Sequence, residues 1–93
     1  MYVVLSLHHP HAEYKDALID SMHRFGNAVR GRPGCIRIHT LKDERSDRLV
    51  GLAMFESKEA WQRLAPLARE AVKDDPFEVW EIGEMDNLAL IEV

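Results

Sequence analysis

The sequence has only one cysteine, Cys35, among its 93 residues. A single cysteine cannot form a disulfide within the chain or supply a cluster of thiolate ligands to a metal ion. No apolar run approaches the roughly 20 residues that a membrane-spanning helix needs, so we expect no membrane partner. The N-terminal segment lacks the basic residues and the small-residue cleavage site of a secretory signal, which predicts a cytoplasmic protein.

The chain also has fewer positive than negative charges: it contains 12 Lys and Arg residues and 16 Asp and Glu residues, and its formal net charge is −4. Nucleic-acid-binding domains use clustered cations to neutralise phosphates, so this balance disfavours a nucleic-acid partner. The chain has no internal repeat, low-complexity segment or linker. Its apolar share of 46% is typical of a folded protein, and we expect residues 1–93 to form one domain.

Hydrophobic periodicity predicts the order of strands and helices along the chain. Segments rich in β-branched and apolar residues predict strands at 2–8, 35–41, 48–56 and 77–85, with a short fifth strand at 88–93. Helical patterns separate the first strand from the second and the third strand from the fourth. The resulting βαββαβ order predicts a ferredoxin-like α+β fold, in which a four-stranded antiparallel sheet carries both helices on one face.

Each predicted helix has an apolar stripe at steps of three and four residues. In the first helix the stripe consists of Tyr14, Leu18, Met22, Phe25 and Val29. Ser57 suits the N-cap of the second helix. Pro66 falls inside that helix, where proline lacks an amide hydrogen and its ring meets the preceding turn. We therefore expect a kink there, or two short helices with Pro66 opening the second.

The hairpin of the second and third strands predicts how side chains divide between the two sheet faces. If residue 42 pairs near residue 48, one face is almost wholly apolar. The other face then combines two long polar side chains with two very small residues, which are Arg37, His39, Gly51 and Ala53. Small residues beside long ones leave room for a pocket. Because the strands are apolar on both faces, we expect a second copy of the chain to cover the free face.

The segment RPGCIRIHTLKDERSDRLVGLAMFESKEAW, residues 32–61, resembles the antibiotic-biosynthesis-monooxygenase family of dimeric α+β barrels. The likeness rests on P-G-C before the second strand, a charged turn, and a strand that runs into F-E-S-K-E-A-W. The resemblance implies a homodimer with two facing sheets and the helices outside. It also implies a cofactor-independent monooxygenase that oxidises a planar aromatic or quinol-like substrate. The alternative is a non-catalytic homodimer that binds a small apolar ligand or modulates a partner.

Haem-degrading members of that family provide a test within the sequence. They carry an asparagine in the first strand and both a tryptophan and a histidine on the second helix. Here Trp61 is present, but residues 2–8 contain no asparagine and residues 57–73 contain no histidine. The resemblance therefore does not extend to haem degradation, and we expect neither a cofactor nor a metal.

His39 and Arg37 are the predicted catalytic residues. His39 would accept the substrate proton, and Arg37 would stabilise the developing anion by a charge-assisted hydrogen bond. An interface or edge histidine is the alternative for His39. The predicted substrate-binding residues supply aromatic walls and free volume, and they are Trp80, Tyr14, Trp61, Gly51 and Ala53. Core packing is the alternative for the two tryptophans.

The segment SLHHPH, residues 6–11, places three histidines within four positions. In a strand His8 and His9 point to opposite faces, so they cannot both bind one ion. Structural zinc sites usually have four protein ligands and catalytic sites three, and no further ligand lies close in sequence. We therefore expect a solvated junction between strand and helix, with substrate contact at the strand end as the alternative.

Overall fold

The computed structural model describes residues 1–93 and contains one sheet of four strands. β1 spans Tyr2–His8, β2 spans Cys35–Lys42, β3 spans Leu49–Phe55 and β4 spans Asp86–Ile91. Every neighbouring pair is antiparallel, and the strand order is β2-β3-β1-β4. Together with the helices on one face, this sheet confirms the predicted ferredoxin-like α+β fold.

Three helices cover one face of the sheet. After a short 3₁₀ turn at Ala12–Tyr14, α1 spans Lys15–Val29, α2 spans Lys58–Ala71 and α3 spans Phe77–Trp80. The Ser57 side chain accepts a hydrogen bond from the Ala60 N–H at 3.1 Å and so caps α2 as predicted. None of the helices combines the length and apolar character that crossing a membrane requires.

The prediction of two short helices that meet at Pro66 is wrong, because α2 continues through this residue. Proline in a helix interior costs about 3 kcal/mol, chiefly through a lost hydrogen bond and a steric clash. Pro66 lies on the exposed side of α2, where water can donate to the carbonyl left without its partner. On the opposite side Leu64, Ala65 and Ala68 are buried, and their packing holds the helix together.

The predicted fourth strand at 77–85 is also wrong. Its first part forms the single helical turn α3, in which the Glu81 N–H donates to the carbonyl of Phe77 at 2.9 Å. Gly83 has a φ of 74° and turns the chain, and the following segment becomes β4. The apolar and β-branched residues of 77–85 fit a strand, but β1 offers one free edge and residues 86–91 occupy it.

The hairpin of β2 and β3 contains a β-bulge that reverses the predicted faces. Cys35 pairs with Phe55, but Arg37 pairs with Met54, so Ile36 is an extra residue in β2. From Arg37 onward the register differs by one residue from the expected one, and such a shift exchanges the two faces. The prediction that Arg37 and His39 share a face with Gly51 and Ala53 is therefore wrong.

The inner face of the sheet, which packs against the helices, contains the core. Its buried members come from the sheet and both long helices, and they are Val29, Ile38, Ala53, Phe55, Ala60, Leu64 and Ala68. Phe55 is fully buried, with its ring centroid 5.0 Å from that of Trp61. Burying one such side chain contributes roughly 1.5–3 kcal/mol, so this cluster fixes α2 on the sheet.

The outer face of the sheet carries apolar side chains that the monomer leaves open. Leu41, Leu88 and Leu90 are each more than 40% exposed. The strand register places all three on this face, together with Arg37 and His39. The two faces of the sheet thus differ in what covers them.

Candidate functional site

A cavity of about 510 Å³ lies between the inner face of the sheet and the three helices. Two rows of residues, each with one member from every strand, form its floor. The first row is Thr40, Gly51, Ser6 and Asn87, and the second row is Ile38, Ala53, Val4 and Ala89. The first row supplies hydrogen-bonding groups, whereas the second is apolar and made of small or medium side chains. Met22, Phe25 and Trp61 line the cavity on the helical side.

Gly51 makes room for the side chain of Ser6 on the neighbouring strand. A Cβ atom at Gly51 would lie 2.5 Å from Ser6 Oγ and 3.5 Å from Met22 Cε. Any other residue at this position would therefore force the serine hydroxyl to move. The glycine holds open the part of the floor where the hydroxyl lies.

A series of three hydrogen-bonded side chains begins at the polar end of the cavity, where Ser6 and His8 line it, and ends at Glu81. Ser6 Oγ lies 2.9 Å from Nε2 of His8, and Nδ1 of His8 lies 3.1 Å from a carboxylate oxygen of Glu81. Because an ionised carboxylate only accepts hydrogen bonds, Nδ1 carries a proton, and in the neutral imidazole Nε2 then accepts from the serine hydroxyl. His8 and Glu81 are only 5% and 6% exposed.

The segment after α3 brings Glu81 to His8. The His11 N–H donates to the Trp80 carbonyl and the Ile82 N–H donates to the His9 carbonyl, both at 2.8 Å. The second carboxylate oxygen of Glu81 accepts from the His9 N–H at 3.3 Å. These backbone bonds fix the carboxylate beside the end of β1.

The three histidines of residues 6–11 therefore have different environments. His9 and His11 are exposed, as a solvated junction predicts, whereas that expectation is wrong for His8. No group of three or more His, Cys, Asp or Glu side chains is close enough to hold a metal ion. Residues two apart in a strand share a face, so Ser6 and His8 lie together, but no local pattern points to Glu81.

The structure brings together only part of the predicted site. Trp61, Gly51 and Ala53 line the cavity, whereas Tyr14 and Trp80 do not. The Trp80 ring instead packs edge-on against Phe77, with centroids 5.8 Å apart.

The predicted catalytic pair lies on the other side of the sheet. His39 lies along the cavity edge by its position in β2, but its side chain is on the outer face and exposed. Arg37 is also exposed and lines a smaller groove beside Arg30 and Cys35. No observation tests a catalytic role for either residue, which remains a prediction.

Two cations that were not among the predicted site residues line the cavity. The Arg69 guanidinium lies 5.9 Å from the centre of the Trp61 ring, within the range of a cation–π interaction. Arg30 donates to the Ile38 carbonyl at 2.8 Å. Burial raises the pKa of the nearby Cys35 thiol, although the Arg30 charge acts in the opposite direction. The thiol is therefore a poor nucleophile at neutral pH.

Solved structures with a similar fold include Rv0793 from Mycobacterium tuberculosis, with a TM-score of 0.83 and 15% identity over 99% of this chain and 94% of that one. A crystal structure of an antibiotic biosynthesis monooxygenase gives a TM-score of 0.81 and 12% identity, over 100% of this chain and 99% of the other. An MhuD variant with two manganese protoporphyrin IX molecules bound per active site gives a TM-score of 0.75 and 21% identity, over 100% of this chain and 95% of that one.

At these identities the structural likeness establishes the fold alone. No curated protein sequence matches the chain. The family model described as antibiotic biosynthesis monooxygenase matches residues 1–65, more than two thirds of the sequence. The matched part contains β1, α1, β2 and β3, and with them most of the cavity floor. The chain belongs to the antibiotic biosynthesis monooxygenase family.

Proposed function

We propose that the protein is a monooxygenase that oxidises a planar aromatic or quinol-like molecule in the cavity, without a bound cofactor. The observation that carries this proposal is the cavity itself, which is mostly apolar and has one polar row across its floor. Flat apolar walls suit a planar substrate, and a few placed polar groups fix its orientation. Family membership supports the reaction class.

The proposed reaction uses the substrate as its own source of electrons. A base removes an acidic proton, and the electron-rich anion that remains reacts directly with molecular oxygen. One oxygen atom enters the substrate as a carbonyl where a methylene group stood. The second oxygen leaves as water with the two hydrogens of that methylene, so atoms and electrons balance.

We also propose that two copies pair through their outer sheet faces. Leu41, Leu88 and Leu90 would be covered in such a dimer, and exposed apolar patches of this kind mark interaction sites. His39 would then lie at the interface, which is the non-catalytic alternative for that residue.

Porphyrin binding is a separate question, because one similar structure holds manganese protoporphyrin IX. The helix α2 lines the cavity with Trp61 and Arg69 but contains no histidine. Both ring nitrogens of His8 are occupied by Glu81 and Ser6. The residues present do not fit an iron porphyrin held through α2, and the proposed reaction uses none.

The test uses anthrone, a planar tricyclic ketone whose acidic methylene group gives an electron-rich anion. In metal-free buffer with a chelator we expect consumption of one O₂ per anthraquinone formed, with one labelled oxygen from ¹⁸O₂ in the product. Ala89→Phe fills the floor of the cavity and should abolish turnover. Ala12→Phe, an exposed site outside the cavity, is the matched control. Binding of anthrone without oxygen consumption would favour the non-catalytic ligand-binding dimer.

A further inference from the structure

We propose that Ser6, His8 and Glu81 form a proton relay that ionises the substrate in the cavity. The inference rests on the proposed function and assigns its base. The Ser6 hydroxyl takes the acidic proton of the substrate as it passes its own proton to Nε2 of His8. Glu81 stabilises the imidazolium that results. In this assignment His8 and Ser6 are catalytic residues and Glu81 is a positioning residue.

The distances form a continuous path from the cavity to the carboxylate. Oγ of Ser6 is 2.9 Å from Nε2 of His8, and Nδ1 of His8 is 3.1 Å from Glu81. Both separations are within the range over which a general base accepts a proton. Ser6 and His8 both line the cavity, so the path opens where a substrate would lie.

The burial of His8 and Glu81 indicates that these hydrogen-bonded side chains have a role beyond packing. Only three polar or charged residues are buried in the protein, and two of them are His8 and Glu81. Replacing a buried ionisable pair by apolar side chains is often neutral or stabilising, so stability alone does not account for such a pair. The histidine also directs its second nitrogen to a hydroxyl in the cavity wall.

Two neighbours of Ser6 complete the arrangement. Gly51 leaves the space that the hydroxyl occupies, since a Cβ there would lie 2.5 Å away. Asn87 is directly opposite Ser6 on β4, and opposite residues of antiparallel strands have Cβ atoms about 4.5–5.5 Å apart. Its amide can donate to an oxyanion formed beside Ser6. A substrate with an acidic hydroxyl, or a ketone that forms an enolate, suits this position.

The proton balance of the relay is simple. The substrate O–H or C–H bond breaks, and its electron pair stays on the substrate. A new O–H bond forms on Ser6 while the original one breaks, and Nε2 of His8 gains the proton. The site then holds a substrate anion, an imidazolium and a carboxylate. After oxygen transfer, His8 returns the proton through Ser6 to the water that leaves.

The experiment measures ionisation in the absence of oxygen, so it does not depend on turnover. The probe is 4-nitrophenol, whose phenolate absorbs visible light and whose neutral form does not, in a buffer more acidic than its pKa. We expect the wild-type protein to bind the probe as phenolate. His8→Gln and Ser6→Ala should bind it in the neutral form, with at least a tenfold smaller phenolate signal. His9→Gln, at the neighbouring exposed histidine, is the matched control.

Glu81→Gln separates charge from position, because glutamine keeps an acceptor for Nδ1 and removes the negative charge. We expect a smaller phenolate signal with unchanged affinity for the neutral probe. Ser6→Ala changes one atom and tests the relay if the His8 variant does not fold. A wild-type protein that binds only neutral phenol, or none, overturns the relay, as does a full phenolate signal in Ser6→Ala. Ionisation without oxidation of anthrone would retain the relay and reject the monooxygenase.

Discussion

The inner and outer faces of the sheet come from the same four strands but carry different chemistry. The inner face has a polar row beside an apolar one, with a buried histidine and carboxylate at its end. The outer face has exposed leucines with one histidine and one arginine, and no helix covers it. The inner face forms the floor of a cavity, whereas the outer face is open and apolar.

A single residue determines which side chains belong to which face. Ile36 is the extra residue of the bulge in β2, and beyond it the register shifts by one. Without the bulge, Arg37 and His39 would point into the cavity, while Ile38 and Thr40 would leave it. Bulges redirect side chains in this way near functional sites. Each face therefore holds one histidine of the sheet, with His8 on the inner face and His39 on the outer face.

The largest expected effect is on turnover in His8→Gln. Removal of a general base typically lowers the rate by about 10²- to 10⁴-fold. We expect a loss of this size in anthrone oxidation for His8→Gln, and less than about twofold for His39→Gln if that residue is only at the interface. Steady-state oxygen consumption measures both variants under the same conditions.

The opposite ranking would change the site assignment. If His39→Gln loses the activity and His8→Gln keeps it, the base lies on the outer face, and His39 with Arg37 becomes the better catalytic pair. Thermal unfolding of both variants provides the control, since a folded His8 variant is needed to interpret its loss.

Much of the fold could be predicted because it depends on local patterns. The first three strands and both long helices have clear apolar periods and recognisable ends, such as the Ser57 cap. The fourth strand could not be assigned this way, because residues 77–85 are as rich in apolar and β-branched residues as a strand is. The free edge of β1 determines which segment becomes the fourth strand, and this edge exists only in the assembled sheet.

The candidate site was less predictable than the fold. Trp61, Gly51 and Ala53 line the cavity, and small residues and an amphipathic helix are visible in the sequence, whereas the substrate-binding role predicted for them stays a prediction. The bulge at Ile36 has no local signal, so the faces were reversed. Glu81 is separated from His8 by 73 positions and falls in a segment predicted as a strand. Contacts at that separation depend on the complete fold.

A charged side chain introduced on the outer face should dissociate the proposed dimer. Leu90 lies on that face and is 41% exposed in the monomer, so Leu90→Lys would bury an unpaired ammonium group at the interface. We expect dissociation to become at least about 100-fold easier, since each 1.4 kcal/mol is a factor of ten. Sedimentation at micromolar concentration should show twice the chain mass for wild type and the chain mass for the variant.

Ile91→Lys is the matched control for this test. It places the same charge on the next residue of β4, on the opposite face, where the side chain is already 70% exposed. Its sedimentation should equal that of the wild type. A wild-type protein that sediments as a monomer would reject the dimer whatever the variants do.

A smaller effect is expected from Gly51→Ala on the inner face. The added methyl group would lie 2.5 Å from Ser6 Oγ and would rotate the hydroxyl away from His8. A displacement of this kind can lower the rate by up to about 10²-fold while the fold is retained. Val50→Ala, the preceding residue on the outer face, should leave kcat within about twofold. Equal kcat values for Gly51→Ala and Val50→Ala would show that the position of the Ser6 hydroxyl does not affect the reaction.

A set of hydrogen bonds from Arg24 links α1 to the end of α2 and to the segment that follows it. Arg24 donates to the Asp75 carboxylate at 2.8 Å and to the Ala71 carbonyl at 3.0 Å. Burial acts to raise the pKa of Asp75, but hydrogen bonds from Ser21 and Arg24 outweigh it and hold the pKa below its ordinary value. The folded state therefore binds the proton of Asp75 less readily than the unfolded chain does.

The smallest effect we predict follows from this lowered pKa. A carboxyl group with a lower pKa in the folded state stabilises the protein above its unfolded pKa of about 3.9, and that stabilisation is lost as pH falls through the folded pKa. Asp75→Asn should thus lower the melting temperature at neutral pH, and the difference from wild type should vanish in acid. Glu70→Gln removes an exposed ion pair with Lys73 and should change little at any pH. Equal melting temperatures for wild type and Asp75→Asn at neutral pH would show that this link does not hold the helices over the cavity.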